Sequence, residues 1–177
     1  MKITEVNNHD DFIALRHSWQ GVLQRCDLSI FSTWEYLSTW WKYFGKGATL
    51  RIFIAQENGE ILSIAPLMLF QHKISHLGSL HKIQFLGHGS DYADFLIPKE
   101  NTKCLKLFLD KLLQFSDWDL LELKGMTEKS TTAKALLDIR NYNTLEFELN
   151  DWSLCYYICL SNSLRDFING LPASQNQ

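Results

Sequence analysis

Five side chains that could act on a substrate lie within seven consecutive positions of this sequence: His88, Ser90, Asp91, Tyr92 and Asp94. They separate one apolar run, which ends at 86, from a second apolar run at 95–97. Imidazole, hydroxyl and carboxylate groups can orient a polar ligand and exchange protons with it, and flanking strands would hold such a loop in place. We therefore predict that Tyr92 and Asp94 bind a substrate, and that Asp91 and His88 are the next candidates for this role. The pattern assigns none of them to catalysis.

The directions of these side chains depend on the backbone. Successive side chains of a strand point to opposite faces, so an extended segment at 93–97 would place Tyr92 and Asp94 together. Two other interpretations stay open. Asp91 and Asp94 could cap turns through local hydrogen bonds. A serine–histidine–aspartate triad of a hydrolase could form in this loop, although side chains so close in sequence seldom converge in that geometry.

The pattern Gln84-x-x-Gly87-x-Gly89 matches the short motif with which acetyltransferases bind the pyrophosphate of acyl-CoA. Such a loop needs backbone N–H groups at the start of a helix, where the dipole favours an anion. Here two aspartates follow the glycines, and no helical pattern begins before about Asn101. A motif counts only in its structural context, so we expect no acyl-CoA site in this loop.

The residues before the loop have the pattern of antiparallel strands. The predicted strands are 2–6, 50–56, 60–70, 74–80 and 83–86. Asn58-Gly59 is a strong signal for a hairpin between the second and third of them. Pro66 cannot donate a hydrogen bond to a sheet, so it should mark a bulge or a change of pairing.

Helical patterns lie on both sides of these strands. An amphipathic helix follows Asn8, and a second begins where Ser32 and Glu35 form a capping box. Gly45 should end that helix in the left-handed conformation. Beyond Pro98, apolar residues at 105–113 recur with helical spacing.

The C-terminal third alternates between the two kinds of pattern. Strands are predicted at 120–123, 145–149 and 154–160, and helices at 131–137 and after Ser163, which caps a short helix. Together the elements predict an α/β (α+β) fold with a mixed, mostly antiparallel sheet flanked by helices.

Composition excludes several classes of function. Seventeen Lys and Arg against twenty Asp and Glu give a net charge of −3, without the basic stripe of a nucleic-acid binder. The sequence shows no signal peptide and no membrane-spanning apolar run. Four cysteines without Cys-x-x-Cys spacing should stay reduced, so we expect a cytoplasmic protein. His72 and His76 lack further ligands at metal-site spacing, so no metal is expected.

Five short motifs occur in one order along the chain: Phe31-Ser32-x-Trp34, Trp40-Trp41-x-x-Phe44-Gly45, Ile64-Ala65-Pro66-Leu67, Phe85-Leu86-Gly87 and Asp91-Tyr92-x-Asp94-Phe95. Together they resemble the N-terminal half of the BioF2-like (CelD-type) family of GNAT acyltransferases. The resemblance runs from about Phe31 through the final helix, and the order of elements is similar to the GNAT fold.

This resemblance implies an acyl-CoA-dependent N-acyltransferase with a small-molecule or amine acceptor, related to the Fem-type transferases that join two GNAT-like halves. It implies a GNAT-like domain at 1–162, which helps to wall the substrate cleft, and the start of a linker or second half at 163–177. The second half normally carries acetyl-CoA or another acyl-CoA, so none is expected to bind this chain alone. A second half or self-association would supply the partner. The alternative is a non-catalytic remnant or a binding module without transferase activity.

Overall fold

A five-stranded sheet forms the centre of the computed structural model, which describes residues 1–73, 78–138 and 161–170, together with 146, 148 and 150. The strands are β1 (Lys2–Val6), β2 (Ala48–Glu57), β3 (Glu60–Lys73), β4 (Ser79–Phe85) and β5 (Leu120–Glu122). They follow one another across the sheet in chain order. Pairing is antiparallel from β1 to β4 and parallel between β4 and β5. The predicted mixed, mostly antiparallel sheet is therefore confirmed.

The described residues form six helices. They are α1 (His9–Ala14), α2 (Arg16–Leu23), α3 (Trp34–Phe44), α4 (Lys103–Leu112), α5 (Thr131–Asp138) and α6 (Leu164–Asn169). Short 3-10 turns at Ile30–Ser32 and Lys99–Asn101 precede α3 and α4. The amphipathic pattern after Asn8 forms two helices rather than one, because the chain bends at Leu15 between α1 and α2. In the described part of the chain, no helix is long and apolar enough to cross a membrane.

The β2–β3 hairpin forms as its turn residues predict. Asn58 and Gly59 both have positive φ, 53° and 85°, which a tight two-residue turn requires. Pro66 marks a change of pairing on the other edge of β3. Before it, Ile64 bridges Leu96, and after it β3 pairs with β4. Pro66, which has no N–H to donate, therefore lies where the neighbour of β3 changes from the segment at Leu96 to β4.

The two faces of the sheet carry separate apolar cores. One core lies against α1–α3 and contains Phe12, Trp19, Val22, Leu37, Ile52, Ile64, Leu86 and Leu96. The other lies against α4 and α5 and contains Phe53, Leu67, Ile83, Phe85, Phe95, Phe108, Leu109 and Leu136. Phe95 and Leu96 thus point to opposite faces, and Ala93 and Ile97 pack on the same side as Phe95. The predicted alternation holds for this short segment.

Two indole N–H groups connect the N-terminal helices. Trp19 Nε1 donates to Ser32 O at 2.9 Å, and Trp34 Nε1 donates to Phe12 O at 3.0 Å. Ser32 is buried in the 3-10 turn, so the predicted capping box is wrong. Thr33 caps α3 instead, and its side chain accepts from the backbone N–H of Tyr36.

The predicted end of α3 also differs. Gly45 has a φ of −74°, in the right-handed region, and Gly47, with a φ of 87°, takes the left-handed conformation two residues later. Gly45 is needed for a different reason. A Cβ at this position would lie 2.4 Å from the Trp41 ring, so the glycine lets that ring pack under the end of the helix.

The structure describes only part of the C-terminal region for which strands and a helix were predicted. The strands at 145–149 and 154–160, with Cys155 and Cys159, lie outside the described residues except for positions 146 and 148. The short helix after Ser163 is confirmed as α6, and Ser163 accepts from the N–H of Asp166. Leu164 and Ile168 on this helix are 74% and 45% exposed.

Candidate functional site

Two loops meet where the parallel strands end. The β4 loop (residues 86–94) follows β4, and the β5 loop (residues 123–130) follows β5. Gly125, with a φ of 82°, brings them together, because a Cβ there would lie only 2.7 Å from Ser90 O. Gly87 lies equally close to α3, because a Cβ added at this position would be 2.6 Å from Leu37 Cδ2. Close backbone approach therefore fixes the β4 loop on both sides.

A hydrogen-bond chain attaches the β4 loop to α3. Ser90 Oγ donates to Gly87 O at 2.6 Å, and Tyr36 Oη lies 2.5 Å from Ser90 Oγ. A serine hydroxyl has one proton, so Tyr36 must be the donor of the second bond. Ser90 is thereby occupied within its own loop, and this arrangement does not favour a hydrolase triad. Sequence reasoning missed this role of Tyr36, because the pattern of α3 shows it only as one of several aromatic residues.

Tyr92 departs from the predicted strand geometry. Its φ is 57°, in the left-handed region, so the backbone is not extended there. The prediction that Tyr92 and Asp94 share a strand face is therefore wrong, because alternation begins only after Tyr92. Asp91 and Tyr92 are both exposed on this loop. Their predicted substrate contacts stay a prediction.

Asp94 is half-buried and accepts hydrogen bonds on several sides. Its Oδ1 accepts from the N–H of Phe95 at 2.7 Å, and the side chains of Ser130 and Thr132 also hydrogen-bond to the carboxylate. Burial raises the pKa of Asp94, and these three donors oppose that rise. Ser130 also accepts from Ala133 N at the start of α5. Asp94 thus joins the β4 loop to α5, which favours local hydrogen bonding, while substrate binding by Asp94 remains a prediction.

His88 is exposed and lies near charges on both strands. Partial burial lowers its pKa below the ordinary value of 6.5. Lys124 and Lys82 lower the pKa further, and Glu122 opposes them. The imidazole is therefore neutral at neutral pH, the state in which it can accept a proton.

The charges beside His88 form a compact group. Lys82 Nζ lies 3.0 Å from Glu122 Oε2, and Lys124 Nζ lies 3.0 Å from Glu122 Oε1. Burial alone would raise the pKa of Glu122, but hydrogen bonds from Lys124 and Lys82 lower it. The parallel pairing of β4 and β5 brings these charges together. It places Glu122 opposite Gln84, and Lys82 lies two residues before Gln84 on β4. Sequence reasoning missed these lysines because they are about forty residues apart.

The glycine pattern of the β4 loop does not open a helix. Residues 86–92 form turns, and the first helix after them, α4, starts at Lys103. The backbone therefore lacks the helix start that a pyrophosphate loop of this type requires. Next to Asp94, a crevice lined by Ser32, Pro66 and Leu86 has a volume of about 10 Å³, room for a single water molecule. No three-residue group of metal-ligand type occurs in the ranges that the structure covers.

No family model and no curated protein matches this sequence. Some solved structures are similar to it. A ribosomal-protein-alanine N-acetyltransferase from Brucella melitensis biovar Abortus 2308 is 13% identical, with a TM-score of 0.45, over 90% of this chain and 100% of that chain. An aminoglycoside acetyltransferase from an uncultured soil metagenomic sample is 13% identical, with a TM-score of 0.49, over 91% and 100%.

A third similar structure is glucosamine-6-phosphate N-acetyltransferase from Arabidopsis thaliana. It is 9% identical, with a TM-score of 0.39, over 86% of this chain and 99% of that chain. With identities of 9% to 13% and TM-scores of 0.39 to 0.49, these likenesses assign neither a substrate nor a cofactor to this chain.

Proposed function

We propose that this chain is the acceptor side of an acyl-CoA-dependent N-acyltransferase, a GNAT-like domain of the BioF2-like (CelD-type) kind. The proposal depends mainly on the position and the protonation state of His88. It is a solvent-accessible imidazole kept neutral beside two lysines, in a loop at the carboxyl ends of the parallel strands β4 and β5. Ligands of open α/β sheets commonly bind outside the carboxyl ends of strands.

The reaction would be attack of an acceptor amine on the carbonyl carbon of an acyl thioester. A new C–N bond forms, the C–S bond breaks, and the amine nitrogen must lose a proton. His88 would take that proton as general base, because its lowered pKa leaves it unprotonated at neutral pH. Asp91 and Tyr92, exposed on the same loop, would contact the acceptor and orient it.

The acyl-CoA would be bound mainly elsewhere, by a second GNAT-like half or by another copy of the chain. The turn at 86–92 does not supply a helix start to a pyrophosphate, and the carboxylates of Asp91 and Asp94 oppose an anion there. We expect calorimetric titration with acetyl-CoA to detect no low-micromolar binding to this chain. Tight binding would return the loop from Gln84 to Gly89 to consideration as a CoA site.

The test is amine-dependent release of CoA from acetyl-CoA, supplied at high concentration to offset weak binding, with a panel of small amines. His88→Gln should reduce the rate by about 10²- to 10⁴-fold, the usual contribution of a general base. The rate of the unaltered chain should rise with pH through the pKa of His88, below 6.5. His81→Gln is the matched control, since His81 lies on β4 and pairs with Asp119.

The alternative is a non-catalytic binding module. The missing helix start after Gly89 favours it, because a transferase needs a donor site. Equal release of CoA by the unaltered chain and by His88→Gln would contradict the transferase proposal and support this alternative.

A further inference from the structure

Two aromatic side chains are exposed to solvent at the C-terminal end of α3. Tyr43 and Phe44 are each 67% exposed. The centre of the Phe44 ring lies 5.7 Å from that of the half-buried Trp40, so the rings form a continuous aromatic surface. Gly45 ends the helix here, and the Trp41 ring packs against it. Exposed aromatic groups that adjoin one another are typical of a contact surface.

The same end of the molecule carries lysines without carboxylate partners. Lys42 and Lys46 flank the two rings in the chain, and Lys42 Nζ lies 5.4 Å from the centre of the Tyr43 ring. Lys73 is the last residue of β3. Among the described residues, none of these three lysines forms an ion pair. The described part of the chain therefore leaves their charges without a paired carboxylate.

Strand pairing brings Lys73 to the same end of the sheet as Lys46. Ala48, at the start of β2, lies opposite Phe70, and β3 continues past it to Lys73. At the rise of a strand, Lys73 lies about 10 Å beyond Phe70. This distance is comparable with the Debye length of about 8–10 Å in physiological salt, so the fields of the lysines overlap.

The sequence keeps carboxylates out of the segments that build this end. No Asp or Glu occurs at 36–56 or at 61–90, although the chain has twenty such residues. These ranges form most of α3, β2 and β3 and all of β4. Arg51 and Lys82, the other two basic residues in them, pair with carboxylates at 117–122. A chain of net charge −3 thus has a positive, aromatic end, which would orient it at a negative surface.

We propose that a surface of five residues docks the protein reversibly on a membrane that contains anionic lipids. This docking surface consists of Lys42, Tyr43, Phe44, Lys46 and Lys73. Aromatic rings are enriched at the headgroup level of bilayers, and anionic lipids attract lysines near the membrane surface. Weak apolar and electrostatic contributions of this kind produce binding only in combination. The docking does not depend on the proposed transferase function.

Charge also distinguishes a membrane from a nucleic acid as the partner. Proteins that bind DNA through its backbone make about 6–10 phosphate contacts. The docking surface offers only three lysines, and its exposed rings lie between two of them in the chain. A bilayer surface can receive the rings and the charges at the same time, because its apolar and charged layers adjoin.

The experiment is co-sedimentation of the full chain with vesicles of phosphatidylcholine alone and of phosphatidylcholine with about 30% phosphatidylserine. Binding to the anionic vesicles is expected, and it should decrease as salt screens the lysines. Lys46→Ala with Lys73→Ala should weaken it at least about tenfold, because each lysine near such a surface contributes about fivefold. Absence of binding to anionic vesicles, or equal binding to neutral ones, would overturn the proposal.

Lys103→Ala with Lys134→Ala is the matched control for charge. These lysines are exposed on α4 and α5, which cover the opposite face of the sheet from α3, and the loss of net charge is the same. This variant should bind the anionic vesicles normally. Equal weakening in both double variants would mean that net charge alone drives binding, and the docking surface would be refuted.

Phe44→Ser tests the aromatic part of the docking surface. The change should weaken vesicle binding severalfold and leave the urea midpoint nearly unchanged, because the ring is 67% exposed. Leu137→Ser is the control, since Leu137 is 41% exposed on α5, and it should not affect binding. Vesicle binding that is as tight in Phe44→Ser as in the unaltered chain would contradict docking through this surface.

Two measurements without lipid test other occupants of the docking surface. A thymidine oligonucleotide could bind more tightly than the anionic vesicles and lose its binding in Lys46→Ala with Lys73→Ala. The partner would then be a nucleic acid, and the membrane proposal would fail. A dimer that is detected by light scattering and dissociates in Phe44→Ser would show that a second copy covers the rings, which would also refute the proposal.

Discussion

Tyr36 on α3 donates a 2.5 Å hydrogen bond to Ser90 in the β4 loop, and Ser90 in turn donates to Gly87 O at 2.6 Å. These bonds join a helix on one face of the sheet to the loop that carries His88. The loop that holds the candidate general base is therefore positioned by a residue fifty-four positions earlier in the chain.

Tyr36→Phe should lower the free energy of unfolding by about 0.5–1.5 kcal/mol, because one partly buried hydrogen bond is lost. Ser90→Ala should cost more, since it removes both bonds of the chain. Urea denaturation of the two single variants and the double variant measures the coupling. Additive effects would mean that the two residues do not share a bond in solution.

Gly125→Ala should destabilise the protein more than Gly89→Ala. Both glycines have positive φ, 82° and 89°, so both substitutions carry left-handed strain of about 1–2 kcal/mol. Only at Gly125 would the added Cβ also meet a backbone atom, Ser90 O, at 2.7 Å, while nothing lies within 4 Å at Gly89. Thermal unfolding of both variants isolates the contact between the two loops. Equal melting temperatures would show that the loops do not touch as described.

Asp94 should make stability fall as pH rises. Its pKa is raised in the folded state above the ordinary 3.8, so the folded protein binds this proton more tightly than the unfolded chain. The resulting stabilisation is complete below 3.8 and is lost as pH rises through the folded pKa. Asp94→Asn should remove this dependence in urea titrations across that pH range. Exposed Asp91→Asn is the control and should change stability by less than about 0.5 kcal/mol.

Asp117 should have the opposite pH dependence. It accepts two 2.7 Å hydrogen bonds from Arg51, which is buried and also stacks on Phe115 at 4.5 Å. The hydrogen bonds from Arg51 hold the pKa of Asp117 below the ordinary 3.8. The stabilisation is therefore present above 3.8 and is lost as pH falls through the folded pKa.

Asp117→Asn should accordingly be less stable than the unaltered chain at neutral pH, by about 1–3 kcal/mol, and the difference should shrink in acid. Asp110→Asn is the control, since its i,i+4 pair with Lys106 on α4 contributes only about 0.3–0.5 kcal/mol. A difference that persists unchanged at low pH would contradict the assigned role of the charge.

The apolar side of α6 should promote association or fray. Leu164 and Ile168 are 74% and 45% exposed, and so short a helix is not stable without packing. Light scattering should detect self-association that decreases in Leu164→Ser with Ile168→Ser, or hydrogen exchange should show unprotected amides from about Leu164 onward. A monomer with strongly protected amides at Phe167 and Ile168 would contradict both expectations.

Local chemistry decided much of the fold from the sequence alone. Asn58-Gly59 can form a tight turn wherever it occurs, and Pro66 cannot donate, so the hairpin and the change of pairing at Pro66 were predictable. The apolar spacing at 105–113 predicted α4 for the same reason, because helical periodicity depends only on neighbouring residues. The cluster of polar side chains in the β4 loop was also visible in the sequence.

Tertiary contacts decided the rest. Ser32 and Thr33 are both adequate caps locally, but the bond from Trp19 to Ser32 O holds Ser32 in the 3-10 turn and leaves Thr33 to begin α3. Tyr92 could not be placed on a face, because its left-handed φ belongs to a loop packed against Gly125. Lys82, Glu122 and Lys124 meet only because β4 and β5 pair in parallel, and a sequence does not show which distant strands become neighbours.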